Sequence, residues 1–209
     1  MIIAVDGPTA SGKGTIAAAI ARHFSLPHLD TGLLYRAVGW QTLRDGGDPD
    51  TSGDALDGTC FNDALLLDPH LRNEEVGSLA SRVSIHPAVR EALFTRQRAF
   101  ATQDGGAVLD GRDIGTIIAP DADVKLFVTA SVQERARRRW LEQRGRGVDI
   151  ALAEVERDIA RRDARDMGRA DAPLRPAQDA LILDTTAFGK EQAIEAAIEA
   201  VEEALRSKQ

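Results

Sequence analysis

The stretch Gly7-Pro8-Thr9-Ala10-Ser11-Gly12-Lys13-Gly14-Thr15 has residue types spaced for holding a polyphosphate. Its glycines let backbone N–H groups close on phosphate oxygens, and Lys13 adds a full positive charge. An apolar run, Met1 to Val5, precedes it, and a run of helix formers, Ile16 to Ala21, follows. A strand therefore feeds a loop that opens a helix, and the helix start contributes partial positive charge at the same point. A chance glycine-rich turn with a surface lysine shows the same letters but lacks that setting. Gly14 stands where Ser or Thr is usual in GxxxxGK[ST], and Thr15 follows one place later. Magnesium accompanying a bound triphosphate should be held mainly by phosphate oxygens and water, with Thr15 and the strand-ending Asp110 as further candidates.

Arg36, Arg112, Arg165 and Arg169 point to a second phosphate-bearing ligand, because arginine binds phosphate through two parallel N–H groups. Arg112 follows a strand end, where open α/β sheets bind ligands, although a local salt bridge to Asp110 or Asp113 is the blander reading. Asp158, Arg162 and Asp166 stand four apart, the pattern of a solvated ion-paired helix face. Yet Arg162, Asp166 and Arg169 also share a face, and Arg161 with Arg165 forms an adjacent one, giving more positive charge than helix stabilisation requires. Phosphoryl transfer needs positioning and charge neutralisation more than covalent chemistry, work suited to Lys13, Arg112, Arg165 and Arg169. An acceptor that is itself a phosphate monoester is mostly dianionic at pH 7 and needs no general base. That suits a chain whose His23, His28, His70 and His86 are scattered and expected at surfaces or helix ends, with no metal-ligand spacing. An NKxD motif for guanine is absent from the sequence.

The elements that must position these groups follow from the periodicity. A helix from Lys13 to about Phe24 leads to a brief strand ending at Asp30, and Thr31-Gly32 opens a helix carrying Leu33 to Trp40. Residues 45–57 read as loop, 74–83 and 87–102 as helices, 107–109 and 124–128 as strands. Ser131 with Glu134 forms a capping box, Gly145 and Gly147 end the helix it starts, and Asp149 begins another to about Asp166. A last strand, 180–183, precedes an amphipathic helix with Ile194, Ile198, Val201 and Leu205 at helical spacing. Strands alternating with helices predict a three-layer α/β/α P-loop fold on a five-stranded parallel sheet. Four strands end in aspartate, which gathers the polar loops on one edge.

The 209 residues, 43% hydrophobic, are expected to form one domain. A net charge of −7 argues against nucleic acid and anionic membranes, despite an arginine-rich segment from Arg135 to Arg169. Cys60 stands alone, which excludes an intramolecular disulfide and a cysteine-based zinc site and suits a reducing compartment. A cytoplasmic monomer is expected, with Met1 leading straight into the first strand and no run approaching the roughly 20 apolar residues of a membrane span.

GPTASGKGT, LDTGLLYR (29–36), SRVSIHPAVREAL (81–93), RQRAF (96–100), LDGRDIGT (109–116), RRDARDMGRADAPL (161–174) and ALILDTT (180–186) occur in the order seen in bacterial cytidylate kinases, and together they resemble that family. DGRDIGT and the RDxRDxxR segment are far more specific than the phosphate loop. The resemblance implies Mg-assisted transfer from ATP to CMP or dCMP. It also implies that Ser81, Arg90 and Asp113 read cytosine, that Arg162 and Asp166 contact the sugar, and that Arg36, Arg112 and Arg169 grip the monophosphate beside Thr31 and Tyr35. A lid over about 140–160, with its tip at Gly145 to Asp149, and a monophosphate-binding insertion over 41–85 are likewise implied. Two departures stand out: Ala10-Ser11 replaces a glycine common near position 10, and Asp45 to Asn73 is too short for the small three-stranded sheet many members carry. The nearest alternative is a kinase of UMP, AMP or a phosphorylated metabolite; a more distant one is an ATP-reading module without transfer.

Overall fold

A computed structural model describes residues 1–208. The elements in chain order are β1 (Ile2–Asp6), α1 (Lys13–His23), β2 (His28–Asp30), α2 (Thr31–Arg44), α3 (Ser52–Asp57), α4 (Glu74–Val83), α5 (Pro87–Ala101), β3 (Ala107–Gly111), β4 (Val124–Thr129), α6 (Val132–Gly145), α7 (Leu152–Met167), β5 (Leu181–Asp184) and α8 (Lys190–Arg206). The chain divides into two units, Met1–Leu29 with Asp104–Gln209, and Asp30–Gln103.

The first unit is built on the sheet, ordered β2-β3-β1-β4-β5. β1 runs parallel to β3 and β4, and β4 parallel to β5, with Val5 opposite Asp110 and Leu126, and Thr129 opposite Asp184. Parallel strands need crossover helices, which cover both faces and leave near-continuous apolar strands. Ile3, Val5, Val108, Val124, Leu126 and Val128 accordingly pack against Ile16, Ile20, Ala193, Ala197 and Val201 of α1 and α8. Ala4 and Leu109, which alternate with these, are fully buried as well. The expected α/β class and five-stranded parallel sheet are therefore present.

The second unit is helical, with no strand among residues 31–103. Two 3-10 turns, Asp63–Leu67 and Pro69–Arg72, supply Leu65 and Leu71 to a small core with Ala37 and Val76. The loop expected over 45–57 contains the short helix α3 instead. Buried Ala55 anchors it, and the Asp54 carboxylate accepts the Asp48 N–H at 2.8 Å. Local composition gave no hint of that closure. Three other boundaries move: β3 continues through Gly111, a single π-helical turn follows it at Ile114–Ile118, and α7 begins at Leu152 rather than Asp149.

Candidate nucleotide site

The loop from Gly7 to Thr15 leaves β1 against the backbone of β4. A Cβ on Gly7 would lie 2.1 Å from the Val128 carbonyl oxygen, so only glycine lets the loop depart there. Ala10 adopts a left-handed φ of 57°, a region that suits glycine. This is the position of the first departure, and the alanine has a compensation: its methyl packs with Ala136, Val155 and Ile159 of α6 and α7. Lys13 is the first residue of α1. The loop carbonyls of Gly7, Thr9 and Ser11 accept N–H groups from Arg112, Arg135 and Arg138 at 2.8, 3.2 and 3.4 Å. Loop carbonyls engaged in this way are satisfied by the protein itself, and a loop so held can present its N–H groups to an anion. Ser11 Oγ is buried with no hydrogen-bond partner among the described residues.

Beside this loop, Arg112, Asp166 and Arg169 come together. The Asp166 carboxylate accepts Arg112 Nε at 2.8 Å and Arg169 Nη2 at 2.5 Å, one oxygen to each. Burial pushes the Asp166 carboxyl up, but the two guanidiniums outweigh it and hold the group below its ordinary range. Asp158 pairs with Arg161 on the same helix. Arg165 is exposed and Arg162 half-buried on the same helix. The predicted capping box is half made: Ser131 Oγ accepts the Glu134 N–H at 3.2 Å, while the Glu134 carboxylate turns to Arg137 and Arg138.

Asp6, which the sequence showed only as a strand-ending carboxylate, accepts the N–H groups of Ile114 and Gly115, both at 2.8 Å. These are the first donors of the π-helical turn, so Asp6 fixes the segment immediately after Arg112 and buried Asp113. Asp110 Oδ1 lies within hydrogen-bond distance of His28 Nε2, at 2.8 Å. That histidine was expected at a surface or helix end; it is half-buried in the expected second strand, β2, and the signal for its partner lies 82 residues away. The other Asp110 oxygen lies 3.6 Å from where a Gly14 side chain would begin, so the carboxylate faces the first turn of α1. No cluster of three or more His, Cys, Asp or Glu able to hold a metal occurs among the described residues.

The second unit holds Thr31, Tyr35, Arg36, Ser81 and Arg90. Thr31 is buried at the start of α2. Arg36 Nη1 donates to the carbonyls of Leu71 and Asn73, both at 2.8 Å, and Gly77 leaves the space its guanidinium fills. Buried Arg90 on α5 reaches the Tyr35 hydroxyl at 3.5 Å. Ser81 lies half-buried on α4, and its carbonyl accepts the Ser84 hydroxyl at 3.1 Å.

A sequence profile described as Cytidylate kinase matches residues 3–203. The chain is 55% identical over 200 residues to a cytidylate kinase of Cereibacter sphaeroides (strain KD131), covering 96% of this chain and 94% of that one. It is 52% identical over 204 residues to a cytidylate kinase of Caulobacter sp. (strain K31), covering 97% and 94%. Among solved structures it resembles an uncharacterized protein from Eubacterium ventriosum ATCC 27560, with a TM-score of 0.55, 16% identity and coverage of 99% and 98%.

Proposed function

The chain belongs to the cytidylate kinase family, and we propose that it transfers the γ-phosphoryl group of ATP to CMP and dCMP, giving CDP and dCDP. Gly7 to Thr15 hold the ATP phosphates, with Lys13 as the fixed charge. Arg36, Arg112 and Arg169 bind the acceptor phosphate, with Thr31 and Tyr35 beside it. Arg162 and Asp166 contact the sugar, and Ser81, Arg90 and Asp113 read the base. A carboxylate can accept from the cytosine amino group while arginine and serine donate to its ring nitrogen and carbonyl. Lys13, Arg112, Arg165 and Arg169 offset charge spread over the transferred group, so that the monophosphate attacks without a protein base.

The observation that carries this reading is the Arg112–Asp166–Arg169 cluster, centred on the buried Asp166 carboxylate and tied to the Gly7 carbonyl. It sets two guanidiniums beside the phosphate loop with their other N–H groups directed by a single carboxylate. Magnesium fits this donor set only as a companion of ATP, held chiefly by phosphate oxygens with Thr15 and Asp110 as protein contributors; bound there, it neutralises donor charge. The turn joining α6 to α7 acts as a short lid that excludes water. Nucleotide substrates suit the cytoplasmic, monomeric enzyme that we propose; no described helix is long and apolar enough to cross a membrane.

ADP release measured with Mg-ATP and CMP, dCMP, UMP or AMP tests the assignment. CMP and dCMP should be turned over most efficiently, and absence of any diphosphate product would leave an ATP-binding module instead. Asp113→Ala should reduce kcat/KM for CMP by at least about tenfold, the order expected when a buried base contact is lost, with ATP affinity little changed. An unaltered preference among monophosphates would remove Asp113 from base recognition.

A further inference from the structure

Of the three arginines that hold carbonyls of the Gly7–Thr15 loop, Arg135 and Arg138 have no assigned role, and of these two only Arg135 also reaches α7. It is 3% exposed, and all three of its guanidinium nitrogens donate hydrogen bonds. Nε donates to the Ala130 carbonyl at 2.9 Å, Nη1 to Thr9 at 3.2 Å, and Nη1 and Nη2 to the two Asp163 oxygens at 3.1 and 2.6 Å. Asp163 and Asp166 are one turn apart on the buried stripe of α7. Each ends on an arginine that reaches the loop: Asp166 through Arg112 to Gly7, Asp163 through Arg135 to Thr9. A helix held at two points one turn apart cannot rotate or slide without breaking one of them. The Ala10 methyl, seated between α6 and α7, adds an apolar contact at the same junction.

Stability alone does not account for this pair. Removing two charges from water offsets most of their attraction, and well-packed apolar replacements are often neutral or stabilising. What an apolar pair cannot do is donate to the Thr9 carbonyl. We propose that Arg135 and Asp163 are positioning residues for phosphoryl transfer, keeping α7, and with it Arg162, Asp166 and Arg169, in register with the loop that holds ATP. This role rests on the kinase reading above. Neither residue needs to touch substrate; each acts through the backbone or helix it holds. A displacement of about 1 Å in such an arrangement costs on the order of 100-fold in rate.

The test compares wild type, Asp163→Asn, and the paired replacement of Arg135→Met with Asp163→Leu. Three quantities are measured: CDP formation, affinity for a fluorescent ATP analogue, and the urea midpoint. Asp163→Asn should lower kcat with CMP by about tenfold or more while leaving nucleotide affinity within about threefold, since positioning loss appears in the rate. The paired variant should regain the wild-type urea midpoint and remain slow. If its rate recovers together with its stability, the pair is only structural and the proposal is overturned. If the paired variant does not fold, Asp163→Asn decides alone, an unchanged kcat overturning the proposal and a reduced kcat at unchanged nucleotide affinity supporting it. A wild type that makes no CDP removes the kinase reading and this role with it, an outcome distinct from an active wild type with a fully active Asp163→Asn.

Discussion

Loss of water pushes the buried Asp6 carboxyl up to about 7, the N–H groups of Gly115 and Ile114 work against this, the Asp113 carboxylate adds to it and Lys13 subtracts. An acid whose folded value lies above its ordinary value of 3.8 binds its proton more tightly in the folded state. The stability so gained is complete below about pH 4 and is lost as the pH rises through about 7, at roughly 1.4 kcal/mol per pH unit within that window. Asp6→Asn lacks this titration. Urea unfolding at pH 5, 6 and 7 should therefore show wild type losing ground to Asp6→Asn by about 2 kcal/mol over the range; a constant difference would place the Asp6 titration elsewhere. Activity should move the other way, because only the carboxylate accepts both N–H groups that fix the turn after Arg112 and Asp113. Asp6→Asn should thus be slow at pH 8 even though it is folded, as a kcat measurement at saturating ATP would reveal. Asp166 obeys the opposite sign: its lowered carboxyl supports folding above the ordinary carboxylate range and loses that support as the pH falls.

Elements held by local pattern were legible, and those held by distant partners were not. The apolar runs marked all five strands, and Ser131 marked the start of α6 because its cap lies within four residues. By contrast, α3 depends on Ala55 burial inside a Gly- and Asp-rich stretch, and the π-helical turn depends on a carboxylate 108 residues earlier in the chain. The α2–α4 contact is another such case, since nothing near Gly39 announces that a second helix will cross it. A Cβ there would lie 2.7 Å from Leu79 Cβ and 2.9 Å from its carbonyl carbon, and backbone atoms cannot swing aside. Alanine's better helix propensity returns up to about 1 kcal/mol, whereas overpacking costs about 1–3 kcal/mol. Gly39→Ala should therefore destabilise the protein by up to about 2 kcal/mol in urea unfolding and raise KM for CMP more than KM for ATP, because Tyr35 and Arg36 lie on the displaced helix. Equal effects on both substrates would argue against that division of labour.

For the whole molecule, residue type was enough to propose the Gly7–Thr15 loop as a phosphate cradle and to single out Arg112 and Arg169, which the fold links through Asp166, but not to find Asp6, His28, Arg135 or Asp163. Their distant partners are separated by 28 to 126 residues, and only the fold brings them together. The same blindness affects the reading of charge. In sequence the segment from Arg135 to Arg169 is a basic block in a chain of net charge −7. In the fold its charges are distributed among acids: Arg135 with Asp163, Arg137 and Arg138 with Glu134, Arg139 and Arg146 with Glu142, and Arg161 with Asp158. Several of these pairs are exposed and contribute little stability individually. Collectively they leave α6 and the start of α7 with far less positive potential than the arginine count suggests. Non-specific RNA binding draws its affinity from phosphate neutralisation and weakens steeply with salt. Fluorescence anisotropy with a single-stranded RNA should consequently show no saturable binding by the protein at micromolar concentration, even at low ionic strength. Tight binding with a steep salt slope would mean that the acids release these arginines to a polyanion, and the segment would then need a second role beside the nucleotide site.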